Sequence, residues 1–149
     1  MERHASPKQS GKLLFLGLLL FLLGLIIGLF VHQTANPRMA LSAHLEGVMN
    51  GIFLMVLGLI WKRVRLSKRA LAITFWLAVY GTFANLAAVI IAAITGFGKM
   101  MPIAGGQAGP AFLDGVISFL LVSLSLCMIA VCILSLIGIY RHLKEDDAG

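Results

Sequence analysis

Residues 13–31 read LLFLGLLLFLLGLIIGLFV, a run of 19 residues without a single charge. An α-helix rises about 1.5 Å per residue, so about 20 apolar residues cross the hydrocarbon core of a bilayer. Three further runs of this kind give four predicted spans, at residues 13–31, 40–61, 70–95 and 111–140. The runs lack the polar–apolar alternation of barrel strands, and backbone groups in lipid need partners within their own segment, so the spans are predicted to be helices.

The composition of the whole chain agrees with these spans. Of the 149 residues, 60% are hydrophobic and 12% are charged, whereas soluble domains are about 45–50% apolar and about 25% charged. This composition argues against a soluble enzyme, a disordered tail and a nucleic-acid-binding module, and the basic residues between the apolar runs form no continuous face. We therefore predict an all-α integral membrane four-helix bundle, with residues 1–149 forming a single transmembrane domain.

The charges between the spans predict the topology. Four spans place both termini and the loop between spans two and three on one side, with ten of the twelve Lys and Arg residues: Arg3, Lys8, Lys12, Lys62, Arg63, Arg65, Lys68, Arg69, Arg141 and Lys144. The positive-inside rule then predicts that both termini are cytoplasmic. On the outer side, residues 96–110 contain five of the sixteen glycines, and this loop is either a lid over a site or a flexible connector.

Polar residues within the spans gather in the outer half of the predicted bundle. They are His44, Glu46 and Asn50 in span two, Asn85 in span three and Asp114 in span four. Ionisable groups in lipid are costly and indicate a functional site by default. We expect a polar site in the outer leaflet, with a hydrogen-bonded network that packs the helices as the alternative.

Helical geometry divides the polar residues of span two between two faces. At about 100° per residue, Glu46 and Asn50 share one face, whereas Asn50 lies about 120° from His44. Gly47 and Gly51 lie beside His44, where they either leave room for a flat ligand or allow close helix packing. One pocket within one subunit does not easily include both faces, so either the site is wide or a neighbouring subunit completes it.

His44 is the most informative single residue. Neutral imidazole is the commonest metal ligand, and haem iron held by one histidine keeps an open coordination position. The alternative is a histidine that only donates a hydrogen bond. Cys127 and Cys132 lie about 140° apart around their helix, so they cannot chelate one metal together and are interpreted as packing residues.

Four segments resemble the hydroxylaminobenzene mutases: residues 36–51 (NPRMALSAHLEGVMNG), 80–85 (YGTFAN), 100–106 (MMPIAGG) and 121–126 (LVSLSL). That family is similar to the styrene oxide isomerases, small four-helix membrane enzymes that form trimers and bind haem b. The His-x5-Asn-Gly match implies that His44 ligates the haem iron and that Asn50 contacts substrate. Gly47 and Gly51, which lie beside His44, are then the expected cofactor-binding glycines. The sequence departs from the isomerases one turn after Asn85, where Val89 replaces an aromatic hydroxyl.

The resemblance implies a membrane isomerase that rearranges an aryl hydroxylamine, such as hydroxylaminobenzene, to an aminophenol, such as 2-aminophenol, as in nitroaromatic degradation. Haem b would act as a Lewis acid, and Glu46, Asn50 and Asn85 would orient the substrate or move its proton. Asp114 is expected to assist from the outer rim and to pair there with Arg38 or Lys99.

The implied partners are a small aromatic substrate, membrane lipid and two further copies in a homotrimer, without nucleic acid. The implied location is the bacterial inner membrane.

Three other functions stay open. A styrene-oxide-isomerase-like enzyme would act on an epoxide. A non-enzymatic b-type cytochrome would need a second strong ligand, for which His32 is the candidate near the right depth. A small multidrug exporter would use Glu46 as its membrane carboxylate.

Overall fold

The computed structural model describes residues 7–146, and its architecture is all-helical. The long helices are α1 (Pro7–Leu29), α2 (Pro37–Ile60), α3 (Lys68–Thr95) and α4 (Ala111–Asp146). Short 3₁₀ turns lie between them at Val31–Gln33, Trp61–Arg63 and Pro102–Ala104. All four helices are long and apolar enough to cross a membrane, which confirms the predicted helical spans. Arg3, which contributed to the predicted charge asymmetry, lies outside the described residues.

Local side-chain chemistry determines where the central helices begin and end. The Asn36 side chain accepts hydrogen bonds from two backbone N–H groups of the first turn of α2, and Pro37 occupies the first helical position, where its missing N–H is not needed. Ser67 caps α3 in the same way. Gly96 ends α3 in the left-handed conformation, with φ of 76°, which glycine adopts without steric penalty.

The first and last helices, α1 and α4, extend beyond the predicted spans. Helix α1 begins at Pro7, six residues before the predicted start, and α4 ends at Asp146, six residues after the predicted end. The added turns carry charged residues such as Lys8, Lys12 and Lys144. A count of apolar residues stops at the first charge, whereas a helix can continue into water beyond the bilayer. At its other end α1 is shorter than predicted: it ends at Leu29 rather than at residue 31, and a 3₁₀ turn follows at Val31–Gln33.

The helices pack in chain order, with α2 and α3 in the centre, α1 against α2 and α4 against α3. Glycines allow the closest of these contacts, between α1 and α2. A Cβ atom added to Gly24 would lie 2.7 Å from the backbone nitrogen of Val48, and one added to Gly51 would lie 2.6 Å from that of Phe21. The two backbones therefore touch, as small-residue stripes allow in membranes.

The outer loop between α3 and α4 is tied down at several points. Phe97 and Gln107 form a β-bridge, and the Asn36 side chain donates a hydrogen bond to the carbonyl oxygen of Ala104 over 3.1 Å. Because Asn36 also caps α2, the same residue joins this loop to the N-terminal end of α2. The loop is thus an ordered cover over α2 and α3.

Candidate active site

The Glu46 carboxyl group joins α2 to α3. Its Oε2 atom accepts a hydrogen bond from Nδ2 of Asn85 over 2.5 Å and one from Nδ2 of Asn50 over 3.3 Å. Asn50 lies one turn further along α2, and all three side chains are half-buried. Among the described residues, no hydrogen bond reaches the other oxygen, Oε1. The carboxyl group is therefore held at one oxygen and has the other available to a ligand.

An open cleft of about 550 Å³ lies beside this carboxyl group. Its polar lining comes from Arg38, Ser42 and Glu46, on successive turns of α2, and from Asn85. Residues 100–104 of the outer loop cover it, and its apolar walls include Val89 and Leu121. Ligand pockets for small molecules have volumes of about 300–1,000 Å³, so a substrate with one aromatic ring fits. Asn50 lies outside the lining, one turn deeper than Glu46.

His44 is oriented by α1. Its Nδ1 atom lies 2.8 Å from the carbonyl oxygen of Gly24, and because a carbonyl only accepts, Nδ1 carries the proton. In the neutral ring, Nε2 then holds the lone pair that can bind a metal. Space for the ring comes from Gly28, where an added Cβ would lie 2.7 Å from Nδ1. No group of three or more His, Cys, Asp or Glu side chains within residues 7–146 is placed to chelate a metal. At this position the described residues offer one oriented imidazole.

Gly47 and Gly51 lie against α1. An added Cβ on Gly47 would lie 2.5 Å from Cα of Gly24, so this face is already occupied within the chain. The geometry favours the helix-packing interpretation of the glycine stripe over an open surface for a flat ligand. A cofactor contact by these two glycines stays a prediction.

His44 and Glu46 lie on opposite sides of α2. Two residues along a helix correspond to about 200° of rotation, which leaves the side chains about 160° apart. In the structure, the imidazole faces α1 and the carboxyl group faces α3. The two-faced arrangement predicted for α2 is therefore present, and one chain does not bring His44 to the cleft.

Asp114 does not make the ion pair that we expected. The side chain is 4% exposed, and its Oδ2 atom accepts a hydrogen bond from the backbone N–H of Gly109 over 3.0 Å. Within the described part of the chain, Oδ1 has no partner, and neither Arg38 nor Lys99 forms an ion pair with this carboxyl group. The expectation was wrong because the carboxyl group is buried against the end of the loop, with one oxygen bonded to a backbone N–H, and does not reach the rim. Asp114 holds the end of the outer loop and does not line the cleft.

Sequence reasoning missed two contributors to the cleft. It assigns no site role to Ser42 and gives Arg38 only as a possible partner for Asp114. Both could have been identified from their spacing, because residues 38, 42 and 46 are four apart and therefore share one face of α2. The covering role of residues 100–104 had no comparable signal, since it depends on how the loop folds back.

Comparisons with known proteins identify the family of this chain. Residues 9–140 match a family model described as styrene oxide isomerase. Hydroxylaminobenzene mutase HabB of Ectopseudomonas oleovorans is 52% identical over 130 residues, which cover 86% of this chain and 79% of the relative. Hydroxylaminobenzene mutase HabA of the same organism is 46% identical over 127 residues, 84% of this chain and 94% of the relative. No solved structure matches.

Proposed function

The chain belongs to the styrene oxide isomerase family and is an isomerase, and from this premise we propose that it converts an aryl hydroxylamine into an aminophenol. The names of the two mutase relatives support this substrate class over an epoxide. The observation that carries the proposal is the Glu46 carboxyl group, held by Asn85 at the wall of a membrane cleft. Aryl hydroxylamines are small and dissolve in lipid, so they can reach such a site from the bilayer.

The reaction needs no second substrate. The N–O bond breaks, a C–O bond forms at a ring carbon, and the proton lost from that carbon ends on nitrogen. Glu46 Oε1 accepts a hydrogen bond from the hydroxylamine N–H or O–H and holds the proton during this transfer. Asn85 and Asn50 keep the carboxyl group in position through Oε2, while Val89 and Leu121 supply apolar walls for the ring.

The residues around His44 fit haem b as the cofactor. Hydrogen bonding to Gly24 directs the lone pair to Nε2 of His44, and this atom is the proposed ligand. When bound, haem iron would supply a Lewis acid for the oxygen or nitrogen of the hydroxylamine. The role of this chain is to orient the imidazole, through the Gly24 carbonyl and the space left by Gly28, both beside Nδ1.

The opposite faces of His44 and Glu46 support an oligomeric site. We propose a homotrimer in the bacterial inner membrane, with both termini cytoplasmic, in which His44 of one subunit serves the cleft of a neighbour. This arrangement unites the imidazole with the carboxyl group, which the α2 helix of a single subunit keeps apart. It predicts that a monomeric preparation in detergent loses activity although each chain remains folded.

The first test is an absorption spectrum of the purified protein, oxidised and reduced, with an assay for aminophenol. His44→Ala should remove both the Soret band and turnover. His32→Ala is the matched control, because His32 is exposed in the 3₁₀ turn after α1, and it should keep both. Full haem content and activity in His44→Ala would contradict the assignment. A spectrum with two imidazoles that loses one in His32→Ala would favour an electron-transfer cytochrome.

The epoxide isomerase alternative is supported by the description of the matching family. A comparison of kcat/KM for hydroxylaminobenzene and styrene oxide on the same preparation distinguishes the two. The proposal requires the larger value for the hydroxylamine. The exporter alternative requires Glu46-dependent proton coupling in vesicles instead, with no rearranged product.

A further inference from the structure

A second cavity lies at the basic end of the bundle, where α1 and α3 begin. This cavity, the α1–α3 groove, has a volume of about 720 Å³. Lys8, Gly11 and Lys12 line its mouth, and its interior is apolar, with Phe15, Trp76 and Val79 among the lining residues. It lies at the opposite end of the helices from the cleft at Glu46, and the proposed isomerisation makes no use of it.

Two aromatic side chains that line the groove are exposed. Phe15 is 68% exposed and Trp76 is 67% exposed. The Trp76 ring is held by an edge-to-face contact with Phe75, with the ring centroids 5.3 Å apart. The groove thus presents a fixed apolar surface that nothing in the described chain covers.

The mouth of the groove is cationic. Lys8 and Lys12 are one turn apart on α1 and therefore lie on the same face. Neither lysine has an ion pair with another described residue. Basic side chains above a pocket between membrane helices form the arrangement that binds anionic lipid headgroups.

The length of the groove is close to the depth of one leaflet. Its lining along α1 runs from Lys8 to Leu16, which corresponds to about 12 Å along the helix. One leaflet contributes half of a hydrocarbon core about 30 Å thick. We propose that the α1–α3 groove binds one anionic phospholipid, with the phosphate between Lys8 and Lys12 and an acyl chain along Phe15 and Trp76.

Fluorescence quenching tests this proposal in the full-length protein reconstituted into vesicles. The chain has two tryptophans, and Trp61 is fully buried, so a Trp76→Phe variant gives the background signal. Phosphatidylglycerol with brominated acyl chains is compared with brominated phosphatidylcholine at the same low mole fraction. Each lysine contributes about fivefold to the preference for an anionic lipid, so the anionic lipid should quench Trp76 much more strongly, and less so at high salt.

Two pairs of variants separate the groove from general surface charge. Lys8→Gln with Lys12→Gln should abolish the preference, whereas Arg141→Gln with Lys144→Gln removes the same charge from α4 and should keep it. At Gly11 no atom lies within 4 Å of an added Cβ, so a larger side chain has room there. The leucine of Gly11→Leu should therefore fill the mouth of the groove. Gly115→Leu enters similar open space on α4 and is its control, so only Gly11→Leu should lose the quenching.

Either of two results would overturn the lipid site. Equal quenching by both brominated lipids would show that the lysines select no headgroup. Protection of Trp76 from both lipids would show that a neighbouring subunit covers the groove. Isomerase turnover, measured on the same preparations, should be unchanged in Gly11→Leu, so a failed lipid site would be distinguishable from a failed reaction.

Discussion

Replacement of Asn85 by Leu removes the shorter of the two hydrogen bonds that position the Glu46 carboxyl group. The Asn85 bond is 2.5 Å long and the Asn50 bond is 3.3 Å long, both to Oε2. Hydrogen bonds between membrane helices contribute about 0.6 kcal/mol on average and about 1.7 kcal/mol at most. We assign the upper value to Asn85, whose bond joins α3 to α2, and about 0.2–0.5 kcal/mol to Asn50, whose bond lies within α2. Asn85→Leu should therefore lower the free energy of unfolding by about 1 kcal/mol more than Asn50→Leu.

The same replacement should affect catalysis, because Asn85 lines the cleft and Asn50 does not. Loss of carboxyl positioning worth about 1.4 kcal/mol corresponds to about a tenfold fall in kcat/KM. The assay is the rate of aminophenol formation, measured beside thermal unfolding in detergent. Ser125→Ala is the control, because this hydroxyl bonds only to its own helix backbone. A larger fall in kcat/KM for Asn50→Leu than for Asn85→Leu would refute the assignment of the cleft.

Three further substitutions test other contacts. Gly28→Ala places a Cβ 2.7 Å from Nδ1 of His44, so haem content in absorption spectra should fall severalfold, with Gly115→Ala unchanged. Gly47→Ala forces apart the backbones of α1 and α2, and overpacking of this kind costs about 1–3 kcal/mol, which a lower unfolding temperature would reveal. Asp114→Leu removes the acceptor of the Gly109 N–H, which should lower the stability of the loop by about 1–3 kcal/mol and accelerate hydrogen exchange in residues 96–110. Asp114→Asn keeps an acceptor oxygen and should not.

The fold was predictable because lipid imposes one dominant requirement. Each apolar run had to be a helix, and the structure contains all four. The ends were less predictable, because capping by Asn36 and Ser67 depends on side-chain hydrogen bonds that a hydropathy count ignores. A hydropathy count also misses the charged turns at Lys8 and Lys144, where α1 and α4 continue beyond the apolar runs.

The sequence predicted most residues of the candidate site, but not which of them contact one another. Depth along each helix placed Glu46, Asn50 and Asn85 in the same half of the bundle, and rotation separated Glu46 from His44. The contact between Glu46 and Asn85 depends on the register between α2 and α3, which no spacing within one helix reveals. Asp114 shows the same limit, since its partner is a backbone N–H that only the folded loop presents.

The most direct measurement of the proposed reaction follows the hydroxyl oxygen. Purified protein is given hydroxylaminobenzene labelled with ¹⁸O on the hydroxyl group, in unlabelled water, and the aminophenol is analysed by mass spectrometry. Transfer within the cleft predicts that the product retains the label and that Glu46→Gln forms it much more slowly. An unlabelled aminophenol would show that water supplies the oxygen, and no aminophenol at all would show that this hydroxylamine is not the substrate.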